Sequence, residues 1–239
     1  MKHLNALQDV YKEELINTLD TREENLVKVF EENYLTTFLK NSHDFIVKEL
    51  DCWQGRADIV LVKTLEEIKI NYKQAEALSQ LTNSTVVSLL HYKSPRTLDY
   101  ICMKTGLTSN TIKSSIRELQ KADIILRSKS GSFYLNELFI IPRLKFHAYE
   151  AKLHNWKRAL YQAIQYYGFA ESSSVVMPKR YIQPAIKNLE SFKRNGIGLI
   201  SINNLGRTKV ILKAQRNQPS KKAFHLVGVG KVIKENYNI

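Results

Sequence analysis

Residues 143–152 read Arg143-Leu144-Lys145-Phe146-His147-Ala148-Tyr149-Glu150-Ala151-Lys152, the alternating pattern of a β-strand. Alternate residues of a strand share a face, so an apolar row continues into Glu150 and Lys152. Charged groups that continue a buried row must be paired, solvated in a cleft or bound to a ligand, because burying a bare charge is costly. The carboxyl end of this strand is therefore the first place to look for a functional site.

Strand and helix patterns alternate on both sides of this segment. Runs of β-branched residues predict a hairpin with its turn at Gln54-Gly55 and three later strands, at 45–50, 57–62, 174–177, 197–202 and 208–213. Apolar residues at helical spacing predict helices over 4–19, 26–39, 154–167 and 181–194. This alternation predicts an α/β fold, a mixed sheet flanked by helices. The Gly-x-Gly pairs at 196–198 and 228–230 are interpreted as turns and strand starts.

A compact unit of different character occupies residues 78–135. Its pattern predicts a helix that ends before Ser94-Pro95, a second helix over 97–104, a break at Gly106 and a third helix over 109–121. A hairpin follows, with strands at 124–127 and 133–135. This order resembles a winged helix-turn-helix. On the third helix, Ile112, Ile116 and Leu119 are expected to face the core.

Charge distribution, cysteine spacing and the length of apolar runs limit the classes of protein to which this sequence could belong. Residues 141–239 hold 18 Lys and Arg against 4 Asp and Glu, whereas residues 1–140 hold 18 against 19. Regional basic charge attracts phosphate backbones through counterion release. Cys52 and Cys102 lie far apart and predict neither a disulfide framework nor a zinc site. Without a signal-peptide core or a membrane-spanning apolar run, we expect a soluble cytoplasmic protein with no membrane partner.

Several segments together resemble the PD-(D/E)XK nuclease superfamily, which has the restriction-endonuclease-like fold. They are Ala57-Asp58-Ile59-Val60, Glu150-Ala151-Lys152, the helix bearing Gln162 and Tyr166, and the strand Val175-Val176-Met177. Ala57 stands where the family motif has proline. The resemblance implies a nuclease domain in two parts, 1–64 and 143–239, with the winged helix inserted at 65–142. Such an insertion is tolerable if its ends lie close together.

The resemblance also implies a mechanism. Asp58, Glu150 and the carbonyl of Ala151 would bind Mg²⁺ or Mn²⁺, which neutralises charge on the phosphate and activates water. Lys152 would position that water and stabilise charge. Glu49 would be an additional catalytic carboxylate, and Gln162 with Tyr166 would brace the site or contact the phosphate backbone.

DNA, expected to be double-stranded, is the implied partner, and a homodimer is left open. Polar and basic residues on the third helix and the wing would contact DNA, with others on the nuclease domain. The set is Ser109, Asn110, Lys113, Ser114, Arg117, Arg127, Lys129, Arg158, Tyr166, Lys209 and Lys213.

The leading hypothesis is a metal-dependent DNA endonuclease, of a restriction or anti-invader kind. Alternatives are a non-catalytic regulatory or replication factor that binds DNA through the winged helix, and a structure-specific repair or RNA-processing nuclease. In a purely structural interpretation, Asp58 is a turn residue, and Glu150 with Lys152 is a surface ion pair, which contributes little.

Overall fold

A computed structural model describes residues 22–39 and 44–236, so the helix predicted over 4–19 lies outside the described residues. The strands are β1 Phe45–Asp51, β2 Arg56–Thr64, β3 Ile125–Arg127, β4 Phe133–Leu135, β5 Leu144–Ala151, β6 Ser172–Pro178, β7 Gly198–Ile202 and β8 Thr208–Leu212. The helices are α1 Glu23–Asn33, α2 Tyr72–Ser79, α3 Leu81–Leu89, α4 Leu98–Thr105, α5 Ser109–Lys121, α6 Trp156–Gln165, α7 Gln183–Lys187, α8 Leu189–Arg194 and α9 Lys222–Asn236. Short 3₁₀ turns follow α1 at Leu35–Phe38 and α6 at Tyr166–Gly168.

The described chain forms two compact units. The first contains the described residues up to Leu50, then Gly55–Lys63 and Phe146–Gln218. The second contains Asp51–Gln54, Thr64–Lys145 and the described residues from Pro219 onward. The second unit therefore interrupts the first in sequence, at a position close to the predicted insertion.

A mixed six-stranded sheet, in the order β1-β2-β5-β6-β7-β8, is the centre of the first unit. Strand β6 pairs in parallel with β5 and β7, while β8 runs antiparallel to β7. Every residue of β6 is buried, as expected for a central strand that is covered on both faces. The predicted α/β class with a mixed sheet and flanking helices is confirmed.

Helices cover both faces of this sheet because the strands alternate apolar side chains toward each. Leu26 and Phe30 of α1 pack in one core cluster with Val176 of β6. Ala159 and Ala163 of α6 pack with the adjacent residues of β6 in the other cluster, which includes Val175 and Met177. The apolar stripes that predicted α1 and α6 are thus largely buried, but the helix predicted over 26–39 ends at Asn33, and Phe38 and Leu39 at its predicted end are exposed.

The second unit holds α2–α5, the antiparallel hairpin β3–β4 and α9. Thr108 caps α5 by accepting a hydrogen bond from the Thr111 amide, and Gly106 ends α4 in the left-handed conformation, with φ +69°. Ile112, Ile116 and Leu119 of α5 are buried, as expected.

Helix α9 differs from the prediction for the C-terminal segment. It packs on α2 and α3 and so groups with the second unit, although 143–239 was predicted to belong entirely with the sheet. Gly228 and Gly230 lie within this helix, so interpreting them as a turn was wrong. A Cβ at Gly230 would meet the backbone of Leu78 and Ser79, which is why glycine permits this packing.

The helix predicted over 181–194 is two short helices, α7 and α8, separated at Asn188. The Asn188 side chain donates to the Pro184 carbonyl at 2.8 Å, satisfying the end of α7 locally. Among the described residues, no helix is both long and apolar enough to cross a bilayer.

Candidate functional site

Four elements of the first unit bring polar side chains to the carboxyl end of β5. Strand β5 supplies Glu150 and is followed by Lys152, and β2 supplies Asp58. Helix α1 supplies Glu23 from its first turn, and the 3₁₀ turn after α6 supplies Tyr166. The structure therefore brings Asp58 to Glu150 and Lys152, from which it is far apart in sequence.

Asp58 is fixed by the backbone of the neighbouring strand. Its Oδ2 accepts a hydrogen bond from the Ala151 amide at 2.8 Å. Burial raises the pKa of the Asp58 carboxyl, while the Ala151 amide and the Lys152 ammonium oppose that rise. The charges of Glu49 and Glu23 raise it further.

Glu150 is fully buried, and its two carboxylate oxygens have different surroundings. Oε2 accepts a hydrogen bond from the Tyr166 hydroxyl. Oε1 lies 3.0 Å from Lys152 Nζ, within ion-pair distance, but no donor meets it with hydrogen-bond geometry. Burial and then the charge of Asp58 raise the pKa of the Glu150 carboxyl to about 7.

Lys152 lies between two acidic side chains. Its Nζ contacts Glu23 Oε2 at 2.8 Å as well as Glu150, and only 13% of its side chain is exposed. Burial by itself would lower the pKa of Lys152, but the hydrogen bond to Glu23 and the charges of Glu150 and Asp58 raise it overall. The ammonium ion therefore stays charged, and it partly offsets the burial of the carboxylates.

Tyr166 is buried, and its hydroxyl contacts other groups of the protein. Its side chain is 1% exposed, and its hydroxyl lies 3.0 Å from the Arg56 carbonyl in addition to contacting Glu150. The expected contact of Tyr166 with DNA does not fit this burial, because Glu150 and β2 already enclose the hydroxyl. Gln162 Oε1 is buried without a hydrogen-bond partner among the described residues, so no bracing contact is seen for that amide oxygen.

Glu49 makes an exposed ion pair. Its Oε2 lies 2.7 Å from Arg56 Nε, and both side chains are more than half exposed. Glu49 has a left-handed backbone, with φ +55°. Arg56 and Glu23 were not among the predicted site residues. Arg56 could have been found from its position two residues before Asp58 in β2, but acidic first-turn residues such as Glu23 are common in helices and carry no distinct signal.

A cleft of about 1070 Å³ in the first unit reaches this group at Glu23 and Asp58. Its lining comes mostly from α1, β1 and β2 and includes Glu23, Glu49, Arg56 and Asp58. Within the described part of the chain, no group of three or more His, Cys, Asp or Glu side chains is arranged to hold a metal ion.

The donor set nevertheless fits a hard divalent cation. Asp58, Glu150 and the Ala151 carbonyl offer oxygen atoms, the ligand type that Mg²⁺ and Mn²⁺ prefer. Glu150 Oε1 is a buried carboxylate oxygen without a hydrogen-bond donor, and both carboxyls have raised pKa values. A bound cation would give Glu150 Oε1 a partner and would lower the pKa of both carboxyls.

The other predicted DNA-contacting residues fall into two groups. Ser109, Asn110, Lys113, Ser114 and Arg117 of α5 are exposed, and the hairpin residues Arg127 and Lys129 are exposed in the same unit. Arg158, Lys209 and Lys213 are exposed in the first unit. Arg127 is partly engaged locally, because its Nε donates to the Gly131 carbonyl at 3.4 Å.

Comparisons with family models, with curated proteins and with solved structures find no match to this chain.

Proposed function

We propose that the chain is a metal-dependent DNA endonuclease with a restriction-endonuclease-like fold and an inserted winged helix. One observation carries the proposal: a buried carboxylate, Glu150, lies beside a second carboxylate, Asp58, and a mostly buried ammonium, Lys152. A structural ion pair needs one partner, whereas two crowded carboxyls with raised pKa values are a costly arrangement that catalytic sites retain.

Each group has a chemical role in phosphodiester hydrolysis. Asp58, Glu150 and the Ala151 carbonyl would hold the cation, which when bound neutralises phosphate charge and lowers the pKa of water. Lys152 would orient the water and stabilise the negative charge that develops on the phosphate. Tyr166 holds Glu150 in place through its hydroxyl. This tyrosine acts through Glu150 and is a positioning residue.

The second unit supports duplex DNA as the substrate. Helices α3, α4 and α5 precede the hairpin β3–β4, and Arg96 pairs with Phe133 of β4 through two backbone hydrogen bonds of 2.8 Å. A helix pair followed by a small sheet is the arrangement of a winged helix. The exposed polar face of α5 would then enter the major groove, where Asn110 and Lys113 offer donors to base edges.

The test is cleavage of plasmid and of short duplexes by the full chain in Mg²⁺ or Mn²⁺, with and without chelator. Asp58→Ala and Lys152→Ala should abolish cleavage yet preserve DNA affinity, because their interactions strengthen mainly in the transition state. Glu190→Ala, which removes an exposed carboxylate of the same unit, is the matched control and should cut normally.

Retained cleavage in both site variants would remove these residues from the mechanism. Binding without metal-dependent cleavage by the wild type would instead favour a non-catalytic DNA-binding factor. Folding of each variant is checked by its thermal unfolding transition.

A further inference from the structure

We infer that Arg56 binds a backbone phosphate of the nucleic acid beside the scissile bond, and that Glu49 occupies Arg56 until the phosphate displaces it. This inference rests on the proposed function, and it adds a phosphate-binding residue to that site. Three properties of Arg56 support it: its place in the cleft, the anchor of its backbone and the weakness of its present ion pair.

Arg56 lies on the same face of β2 as Asp58. Alternate strand residues share a face, and both residues line the cleft of the first unit. A cation two residues from the proposed metal ligand would therefore meet a phosphate that enters the cleft. Its guanidinium group can bind two phosphate oxygens at once, which an ammonium cannot do.

The backbone of Arg56 is fixed by the residue that positions Glu150. The Tyr166 hydroxyl lies 3.0 Å from the Arg56 carbonyl and also contacts Glu150. The preceding residue, Gly55, has φ +88°, and a Cβ there would lie 3.4 Å from the Tyr166 ring. The buried Tyr166 hydroxyl thus contacts both the Arg56 backbone and the Glu150 side chain. The Cα of Arg56 is therefore held at a fixed position relative to Glu150.

The present partner of Arg56 is easily displaced. The Glu49–Arg56 pair has side chains 55% and 67% exposed, and exposed ion pairs contribute little to stability. Glu49 reaches this position through its left-handed backbone, which leaves the successive residues Lys48 and Glu49 both exposed in β1. A backbone phosphodiester carries one negative charge, as the carboxylate does, so the weakness of this exposed pair is what lets a phosphate replace Glu49 on Arg56.

Lys48, another cation that lines the cleft, is engaged differently. Lys48 pairs with Glu31 at 2.6 Å and belongs to β1, not to the strand that carries Asp58. Arg56 differs from Lys48 in that its backbone carbonyl accepts a hydrogen bond from Tyr166, the residue that also contacts Glu150.

Binding of a labelled duplex by the full chain, measured by fluorescence anisotropy in chelator across a salt series, tests the inference. Arg56→Ala should raise Kd roughly 10- to 100-fold, as expected for a charge-assisted hydrogen bond. It should also lower the slope of log K against log salt by about 0.9, the value for one duplex phosphate contact. Arg56→Lys should keep the slope while binding more weakly than wild type.

Glu49→Gln should lower Kd roughly two- to fivefold, because it removes a competing partner with the strength of an exposed ion pair. That improvement should vanish in the Arg56→Ala background, since it acts only through Arg56. Lys193→Ala and Glu190→Gln remove the members of a similar exposed pair outside the cleft and should leave Kd nearly unchanged.

If the wild type binds and cuts duplex DNA while Arg56→Ala behaves like Lys193→Ala, the inference is wrong and the proposed function stands. Tighter binding by Glu49→Gln that persists without Arg56 would also overturn it. If the wild type neither binds nor cuts, the proposed function fails and takes the inference with it.

Discussion

Glu150 is the residue at which burial and charge conflict most directly. It has no exposed surface, its charge is opposed by Asp58, and Tyr166 and Lys152 offset only part of that penalty. The pKa of the carboxyl is raised to about 7 from its ordinary value of 4.5. Without a cation, the folded protein therefore holds Glu150 protonated more readily than the unfolded chain does.

This shift predicts how stability depends on pH. A raised pKa in the folded state stabilises the protein fully below about 4.5, and this contribution disappears as pH rises through about 7. Glu150→Gln should remove that pH dependence and stabilise the metal-free protein above pH 7, on the order of 3 kcal/mol from the size of the shift. Urea unfolding in chelator across this pH range measures the difference, and identical pH profiles for both proteins would contradict it.

Tyr166 offers a second test at the level of one atom. Tyr166→Phe keeps the ring but removes the donor to Glu150 Oε2, so a buried acceptor loses its partner, at a cost of roughly 1 to 3 kcal/mol in unfolding free energy. We expect kcat to fall by a larger factor than DNA affinity, because the hydroxyl contacts the Glu150 carboxylate directly but touches only the backbone carbonyl of Arg56. Tyr161→Phe, on the exposed face of α6, is the matched control. Equal weakening of DNA binding and cleavage would contradict a role for Tyr166 that acts mainly through Glu150.

Among the helices, α9 shows how packing can depend on the absence of one side chain. A Cβ on Gly230 would lie 2.6 Å from the Leu78 carbonyl carbon and 2.7 Å from the Ala75 carbonyl oxygen. These are backbone atoms of α2, so they cannot move aside as a flexible side chain could. Glycine therefore lets α9 pack directly against α2.

Gly230→Ala should consequently destabilise the second unit. Alanine adds about 1 kcal/mol of intrinsic helix preference, but the forced contact with α2 should outweigh that benefit, with a net destabilisation of roughly 1 to 3 kcal/mol. Glu235→Ala, at an exposed position of the same helix, should change stability by less than about 0.5 kcal/mol. Thermal unfolding compares the two. An unchanged or raised Tm for Gly230→Ala would contradict the packing.

In the molecule as a whole, basic residues lie on both units. We expect those of the second unit to read the base sequence of DNA and those of the first unit to bind its phosphates. The face of α5 carries short polar donors together with Lys113 and Arg117, a mixture suited to reading bases. Lys209 and Lys213 are exposed cations in the region of β8, suited to contacting phosphates.

Variants of the two groups should therefore fail in different ways. Asn110→Ala and Lys113→Ala should reduce discrimination between sequences by about 1 to 3 kcal/mol for each good base contact. Lys209→Ala and Lys213→Ala should weaken binding to all duplexes alike, and each should lower the salt slope by up to about 0.9 if its lysine binds one phosphate. Matched and scrambled duplexes in a salt series separate these effects, and unchanged discrimination in the α5 variants would show that α5 does not read the sequence.

The sequence by itself determined the α/β class, most helix and strand positions and the residues at the end of β5. Periodicity carried this information, because alternation in β5 and the apolar stripes of α1 and α6 reflect which faces each element must bury. The same alternation placed Glu150 at the end of a buried row, and the structure buries it completely.

Only the tertiary structure decided the partners of those residues. Glu23 joins Lys152 across 129 positions of sequence, and Tyr166 meets the Arg56 carbonyl across 110. The packing of α9 and the break at Asn188 could not be predicted from the sequence either, because glycine and asparagine occur both in turns and within helices. Contacts with neighbouring backbone decide which of the two forms. Periodicity reports the face that an element buries, whereas the identity of the group it meets depends on contacts between distant segments, which no local pattern encodes.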